Sequence, residues 1–219
     1  MKPRAIAGWF VAMTFALSVG CATDSTHHES AATCCSTNRA TVSTAFTDKS
    51  LYQLDSTWTT DLNQQIKLSA LTGRVQIVAL IFTSCQFACP LIVHDLQRID
   101  DALPANARSR TGFTLVTIDV ERDTPGVLRA YRARQKLPDG RWTLLRGSAD
   151  DTLELAALLG VKYKRETSGQ FAHSNLITVL NADGEIVHQQ IGLNQDIAET
   201  VKRIVEATTA GSKPGHAHE

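Results

Sequence analysis

The chain has 219 residues, 43% of them hydrophobic, enough apolar material to bury one core in a single domain with tails. Its 22 basic and 22 acidic residues cancel to a formal charge of zero, and no run of like charges forms a footprint for nucleic acid. Composition therefore argues against nucleic-acid binding.

Lys2 and Arg4 precede an apolar run from Ala5 to Leu17, too short to span a bilayer, so residues 1–20 read as an export signal peptide. The stretch Leu17-Ser18-Val19-Gly20-Cys21 that follows resembles a lipobox, with Ser18 where an aliphatic residue is usual. Cys21 is the expected lipidation site. The expected location is the cell envelope, with the domain facing the periplasm and anchored to a membrane by lipid, in surroundings where unprotected thiols oxidise.

Residues 21–47 are rich in Thr, Ser, Ala and His without an apolar period, as in a flexible tether. His27, His28, Cys34 and Cys35 in it form a candidate accessory metal cluster. Residues 209–219 make a second loose tail carrying His216 and His218, and the domain is expected over residues 48–208.

Within the domain, Tyr52 to Leu71 suggests an entry hairpin. Val75 to Phe82 is nearly continuous in β-branched and aliphatic residues, as in a central strand covered on both faces. Ile92, Leu96, Ile99 and Leu103 then repeat at helical spacing. A second buried strand runs from Phe113 to Ile118. Asp123-Thr124-Pro125 opens a helix carrying Val127, Leu128 and Tyr131, with Asp123 or Thr124 as its cap. Trp142 to Leu145 reads as a strand, Asp150 to Leu159 as a helix and Leu176 to Leu180 as a strand. The turn Asn181-Ala182-Asp183-Gly184 leads into Glu185 to Ile191. Ile197, Val201, Ile204 and Val205 close the domain on an amphipathic helix. The order predicts an α/β fold of thioredoxin type, a central mixed sheet flanked by helices with an N-terminal hairpin.

The segment Thr83-Ser84-Cys85-Gln86-Phe87-Ala88-Cys89-Pro90 falls where the central strand ends and a helix starts, the place where open α/β sheets set their ligands. The helix terminus is expected to favour thiolate over thiol, and Pro90 suits the first helical turn. Cys85 and Cys89, four apart, can turn both sulfurs to one side. Two adjacent thiolates permit either a disulfide or a soft metal, and the spacing does not choose between them.

Three segments together resemble the Sco/SenC family of copper-handling, thioredoxin-like proteins that help assemble the copper centre of respiratory oxidases. They are Phe82 to Pro90, Thr117-Ile118-Asp119-Val120-Glu121-Arg122-Asp123-Thr124-Pro125, and Phe171-Ala172-His173-Ser174. The resemblance implies Cys85, Cys89 and His173 as ligands of copper, Cu(I) or Cu(II). It also implies a copper-site subunit of a respiratory oxidase or of nitrous-oxide reductase as recipient, and an upstream copper donor. His173 precedes the Leu176–Leu180 strand, where thioredoxins place a cis-proline loop against their cysteines, and no proline stands there. Gln86-Phe87-Ala88 lacks the acidic residue often found between the family's cysteines. Asp119 and Asp123 are candidates for orienting or tuning a ligand, whereas His94 and His188 are expected on solvated surfaces. The rival function is a thiol–disulfide oxidoreductase that uses only Cys85 and Cys89 and reduces the cysteines of a copper-site apoprotein. A peroxiredoxin-like peroxidase is a third reading.

Overall fold

A computed structural model describes residues 46–167 and 169–210. The signal segment, Cys21, the cluster of His27, His28, Cys34 and Cys35, and the tail with His216 and His218 lie outside the described residues. Nine strands and five α-helices follow in order within the described part.

The seven-stranded sheet is built on β3 (Val75–Ile81), in which every residue is buried. It pairs in parallel with β4 (Thr111–Thr117), which pairs in parallel with β5 (Trp142–Arg146). On its other side β3 pairs antiparallel with β8 (Leu176–Leu180), and β8 with β9 (Ile186–Ile191). The expected entry hairpin is β1 (Trp58–Thr60) and β2 (Gln65–Ile66), added antiparallel to the free side of β5. The sheet order is thus β2-β1-β5-β4-β3-β8-β9, the mixed sheet of a thioredoxin-like fold.

Both faces of this sheet are covered, which is why its central strands carry no polar alternation. Helix α1 (Ala88–Ala102) buries Cys89, Ile92, Val93, Leu96 and Ile99 and, with α5 (Ala198–Ala210), lies against β3. Leu155 of α4 (Ala149–Leu158) and Leu51, Tyr52 and Leu68 of the N-terminal segment gather around Val78, Val116 and Leu180 of the sheet. Two short pieces, α2 (Ala105–Arg108) after Pro104 and α3 (Pro125–Arg134), complete the helices.

Sequence signals set the ends of these elements. Thr124 caps α3, accepting from the Val127 N–H at 3.4 Å with Pro125 behind it, and Ser148 caps α4 through the Asp151 N–H at 3.0 Å. The β8–β9 turn needs its glycine: Gly184 has φ of +86°, and a Cβ there would stand 2.6 Å from the Tyr52 ring. The same glycine accepts from the Leu51 N–H at 3.0 Å, so the turn also docks the entry segment.

One element escaped the sequence pattern, a separate two-stranded hairpin of β6 (Tyr163–Arg165) and β7 (Phe171–His173). His173 ends a strand of this hairpin and does not sit in a plain loop.

Candidate metal and thiol site

The local chain path alone brings the two cysteines together. The strand β3 delivers the chain to Phe82, and α1 begins at Ala88, so Cys89 occupies its first turn with Pro90 behind it. Cys89 is 0% exposed, and its sulfur accepts from the Phe82 N–H at 3.5 Å. Cys85 is half-buried, and its sulfur accepts from the Cys89 N–H at 3.3 Å. Both thiols are free.

His173 reaches this pair from across the fold. Register pairs it with Tyr163 at the end of the hairpin, and its ring packs edge-on to Phe82 with centroids 5.9 Å apart. Its Nδ1 lies 3.1 Å from the Ser174 carbonyl oxygen, which only accepts, so Nδ1 carries the proton. The lone pair is then on Nε2, which stands 3.8 Å from Cys89 Sγ. Burial holds this imidazole below the usual histidine range, against the Ser174 bond that raises it, so the ring stays neutral and able to ligate.

A soft cation fits between these two atoms. Cys89 Sγ and His173 Nε2, 3.8 Å apart, would hold it, thiolate and imidazole being donors that suit such an ion. Among the described residues no three His, Cys, Asp or Glu side chains already stand in a metal-holding group. Cys85, half-buried with its sulfur on the Cys89 N–H, is the third candidate ligand beside the Cys89–His173 pair.

The expectation that the helix terminus favours thiolate is overturned for Cys89. Burial pushes its thiol well above the usual range; the Cys85 and Asp123 charges push the same way, and among the main influences only the Phe82 N–H opposes them. A cation at the site would supply the missing positive charge.

The two aspartates have distinct roles. Thr124 is the cap of α3, and Asp123 is not: 1% exposed, it accepts from the Thr83 N–H at 2.9 Å and from the hydroxyls of Thr83 and Thr117. It clamps the loop that carries Cys85 to the end of β4. Asp119, also 1% exposed, pairs at 2.5 Å with Arg122 Nε, and Arg122 Nη2 donates to the Gly169 carbonyl at 2.7 Å. Arg165 of β6 adds a solvent-exposed pair with Glu121 at 2.6 Å. His94 is exposed as expected; His188 is not fully solvated, being half-buried with Nε2 3.0 Å from Thr200 Oγ1.

Arg122 thus latches the hairpin that carries His173 to the β4–α3 connection. Arg122→Ala is expected to accelerate amide exchange across Tyr163–His173 and to lower unfolding stability by about 1–3 kcal/mol, because Asp119 is left buried without its partner. Arg165→Ala removes only an exposed pair and should change stability by less than about 1 kcal/mol. Exchange mass spectrometry and urea titration check both.

Two features of the site went unread in the sequence. Phe87, between the cysteines, is 82% exposed. It borders a groove of about 430 Å³ lined also by Phe82, Cys85, Gln170 and Phe171. Residues 82–90 mix apolar with polar positions and carry no period that marks Phe87 as the phenylalanine left outside.

Similarity to known proteins bears on the family and the fold. A family model described as SCO1/SenC matches residues 47–209. A protein of Stutzerimonas stutzeri named as copper-binding is 28% identical over 128 residues, which span 57% of this chain and 61% of that protein. The chain therefore covers less than two thirds of that relative. Among solved structures, Arabidopsis thaliana ScoI with copper bound superposes with a TM-score of 0.61 at 18% identity, covering 71% of this chain and 96% of its own. BsSco, described as a member of the Sco family of cytochrome c oxidase assembly proteins in which a disulfide switch was identified, gives 0.62 at 22%, covering 70% and 91%.

Proposed function

The chain belongs to the SCO1/SenC family, and on that premise we propose that it is a copper(I) metallochaperone holding its cargo between Cys85, Cys89 and His173. The observation that carries this is His173 Nε2 at 3.8 Å from Cys89 Sγ, with Nδ1 turned to the Ser174 carbonyl oxygen at 3.1 Å. A dithiol enzyme has no need of an imidazole lone pair at that point, whereas two thiolates and one imidazole suit a soft, low-coordinate ion. The copper-bound ScoI relative supports the choice of metal.

Cu(I) enters as a cation, displaces the thiol protons and leaves by stepwise exchange onto the ligands of an acceptor protein, with no electron transferred. The exposed Phe87 beside the ligands offers apolar surface to such an acceptor. The recipient is the copper-site subunit of a respiratory oxidase or of a similar enzyme such as nitrous-oxide reductase, and an upstream donor loads the site. Cys21 is the lipid anchor that holds the domain at a membrane facing the periplasm. The His27, His28, Cys34 and Cys35 cluster gathers copper for it.

A second role is favoured by the unequal exposure of the two thiols. Half-buried Cys85 is placed to attack a disulfide and buried Cys89 to resolve the mixed disulfide. The product would be a Cys85–Cys89 disulfide and two substrate thiols, two electrons having passed to the substrate.

The His173→Ala variant separates the two. Loss of a direct ligand is expected to weaken Cu(I) binding by more than about a hundredfold, beyond the ten- to hundredfold typical of outer-shell partners, while disulfide exchange continues at the parent rate. Competition titration with a Cu(I) chelator reads the first and exchange kinetics the second. Unchanged Cu(I) affinity would sink the chaperone reading.

A further inference from the structure

The β6–β7 hairpin that delivers His173 has two faces, because side chains alternate along a strand. Tyr163, Phe171 and His173 share the inner one: the Tyr163 and Phe171 ring centroids lie 6.1 Å apart, and Phe171 and His173 pack on Phe82 at 5.4 and 5.9 Å. The outer face carries the residues between them. Lys164 stands opposite Ala172, and Lys162 meets Ser174, whose N–H donates to the Lys162 carbonyl at 3.0 Å. All four are exposed. Two cations thus stand on one side of the hairpin over small neighbours, in a shallow groove of about 440 Å³ that His173 also lines. The nearby arginines are engaged, Arg122 by Asp119 and Arg165 by Glu121, whereas no ion pair among the described residues holds Lys162 or Lys164. Lys162 and Tyr163 also line a second groove of about 430 Å³, together with Leu153 and Ala157 of α4. Those two lie one helical turn apart and are both exposed, Leu153 to 57%. The grooves form one track, apolar at Leu153 and cationic beside His173, and no Asp or Glu lines either part.

We propose that this track is a docking surface for an acidic segment of a partner protein, with an apolar side chain seated at Leu153 and carboxylates on Lys162 and Lys164. Charge complementarity selects the occupant: two like charges side by side repel each other, and carboxylates between them relieve the repulsion. A membrane surface matches less well, since lipid recognition draws on clusters of about four to eight basic residues, and this groove holds a single pair. Because His173 lines the same groove, a docked segment is held next to a candidate copper ligand. That the partner exchanges copper rests on the function proposed above; the docking itself does not.

Replacing both lysines, Lys162→Glu with Lys164→Glu, reverses the charge of the outer face without touching a buried group. The probe is a fluorescein-labelled peptide of one leucine followed by four glutamates, titrated by anisotropy into the reduced, metal-free full-length chain at low salt. The double reversal is expected to weaken binding about tenfold or more, and Leu153→Ser about fivefold. Added salt should erase most of the difference between the parent and the double reversal. A peptide with glutamines in place of the glutamates should bind the parent only at background. Melting temperature and Cu(I) affinity by chelator competition should stay at the parent value in both variants, because the changed side chains are neither core nor ligands. Parent-like peptide binding by both variants, or no binding by the parent chain, overturns the proposal. So does binding to phosphatidylglycerol vesicles that the double reversal abolishes while the peptide goes unbound, which assigns the lysines to a membrane. A parent chain that docks the peptide and binds no Cu(I) sinks the copper reading and leaves the docking surface standing.

Discussion

Asp123→Ala is expected to lower unfolding stability by roughly 3–4 kcal/mol and the melting temperature by about 10 °C. The carboxylate is 1% exposed and receives three donors, the Thr83 N–H, the Thr83 hydroxyl and the Thr117 hydroxyl. Alanine leaves all three without an acceptor, and the Thr117 hydroxyl, in a fully buried residue, cannot turn to water. Asp123→Asn is nearly isosteric and should still be destabilising, because its amide presents donors where donors already point. The clamp joins the end of β4 to a residue two positions before Cys85, so Cu(I) affinity should fall together with stability. Urea unfolding of both variants gives the answer, and a change under about 1 kcal/mol would show that the clamp bears no weight.

Cys85→Ala and Cys89→Ala are expected to behave alike toward copper and differently toward disulfides. Each removes one of two thiolates, and both should reduce Cu(I) binding to background. Toward a mixed-disulfide reagent, Cys89→Ala should accumulate a stable adduct on Cys85, since the attacking thiol remains and the resolving one is gone. Cys85→Ala should form little adduct, because Cys89 is 0% exposed and burial holds it as thiol. Intact-mass spectrometry resolves the two outcomes. Equal labelling of both variants would contradict the inequality on which the redox role rests. Neither change should unfold the protein: trimming a buried sulfur leaves a small void worth about 1 kcal/mol.

Much of the fold was legible in residue pattern. The strand over Val75–Ile81 announced itself because a strand buried on both faces has no polar alternation to obscure it. Helix α3 was marked by Thr124-Pro125 and the β8–β9 turn by Asn181 to Gly184, both instances of local chemistry in which side chains within a few residues satisfy their own backbone. The β6–β7 hairpin was missed because its strands are three residues long and partly exposed, too short for any apolar period to show. The sequence offered both Asp123 and Thr124 as the cap, and the structure gives the cap to Thr124 and a tertiary clamp to Asp123. A cap and a tertiary clamp use the same residue type, and only the fold reveals that Thr83, forty positions earlier, waits opposite.

The site divides along the same line. Sequence by itself determined Cys85 and Cys89, because four residues of spacing at a strand-to-helix junction bring two sulfurs together through chain geometry alone. The motif resemblance added His173 as a partner without saying how it arrives. Tertiary structure decided that arrival: 84 residues separate Cys89 from His173, and the hairpin, its Arg122 latch and the Ser174 carbonyl jointly bring Nε2 to 3.8 Å with its lone pair free. It also pushes the Cys89 thiol up, since a helix terminus is written in the sequence while burial depends on everything packed around it. Groups close in the chain meet through backbone geometry; groups distant in the chain meet only when the whole core has formed.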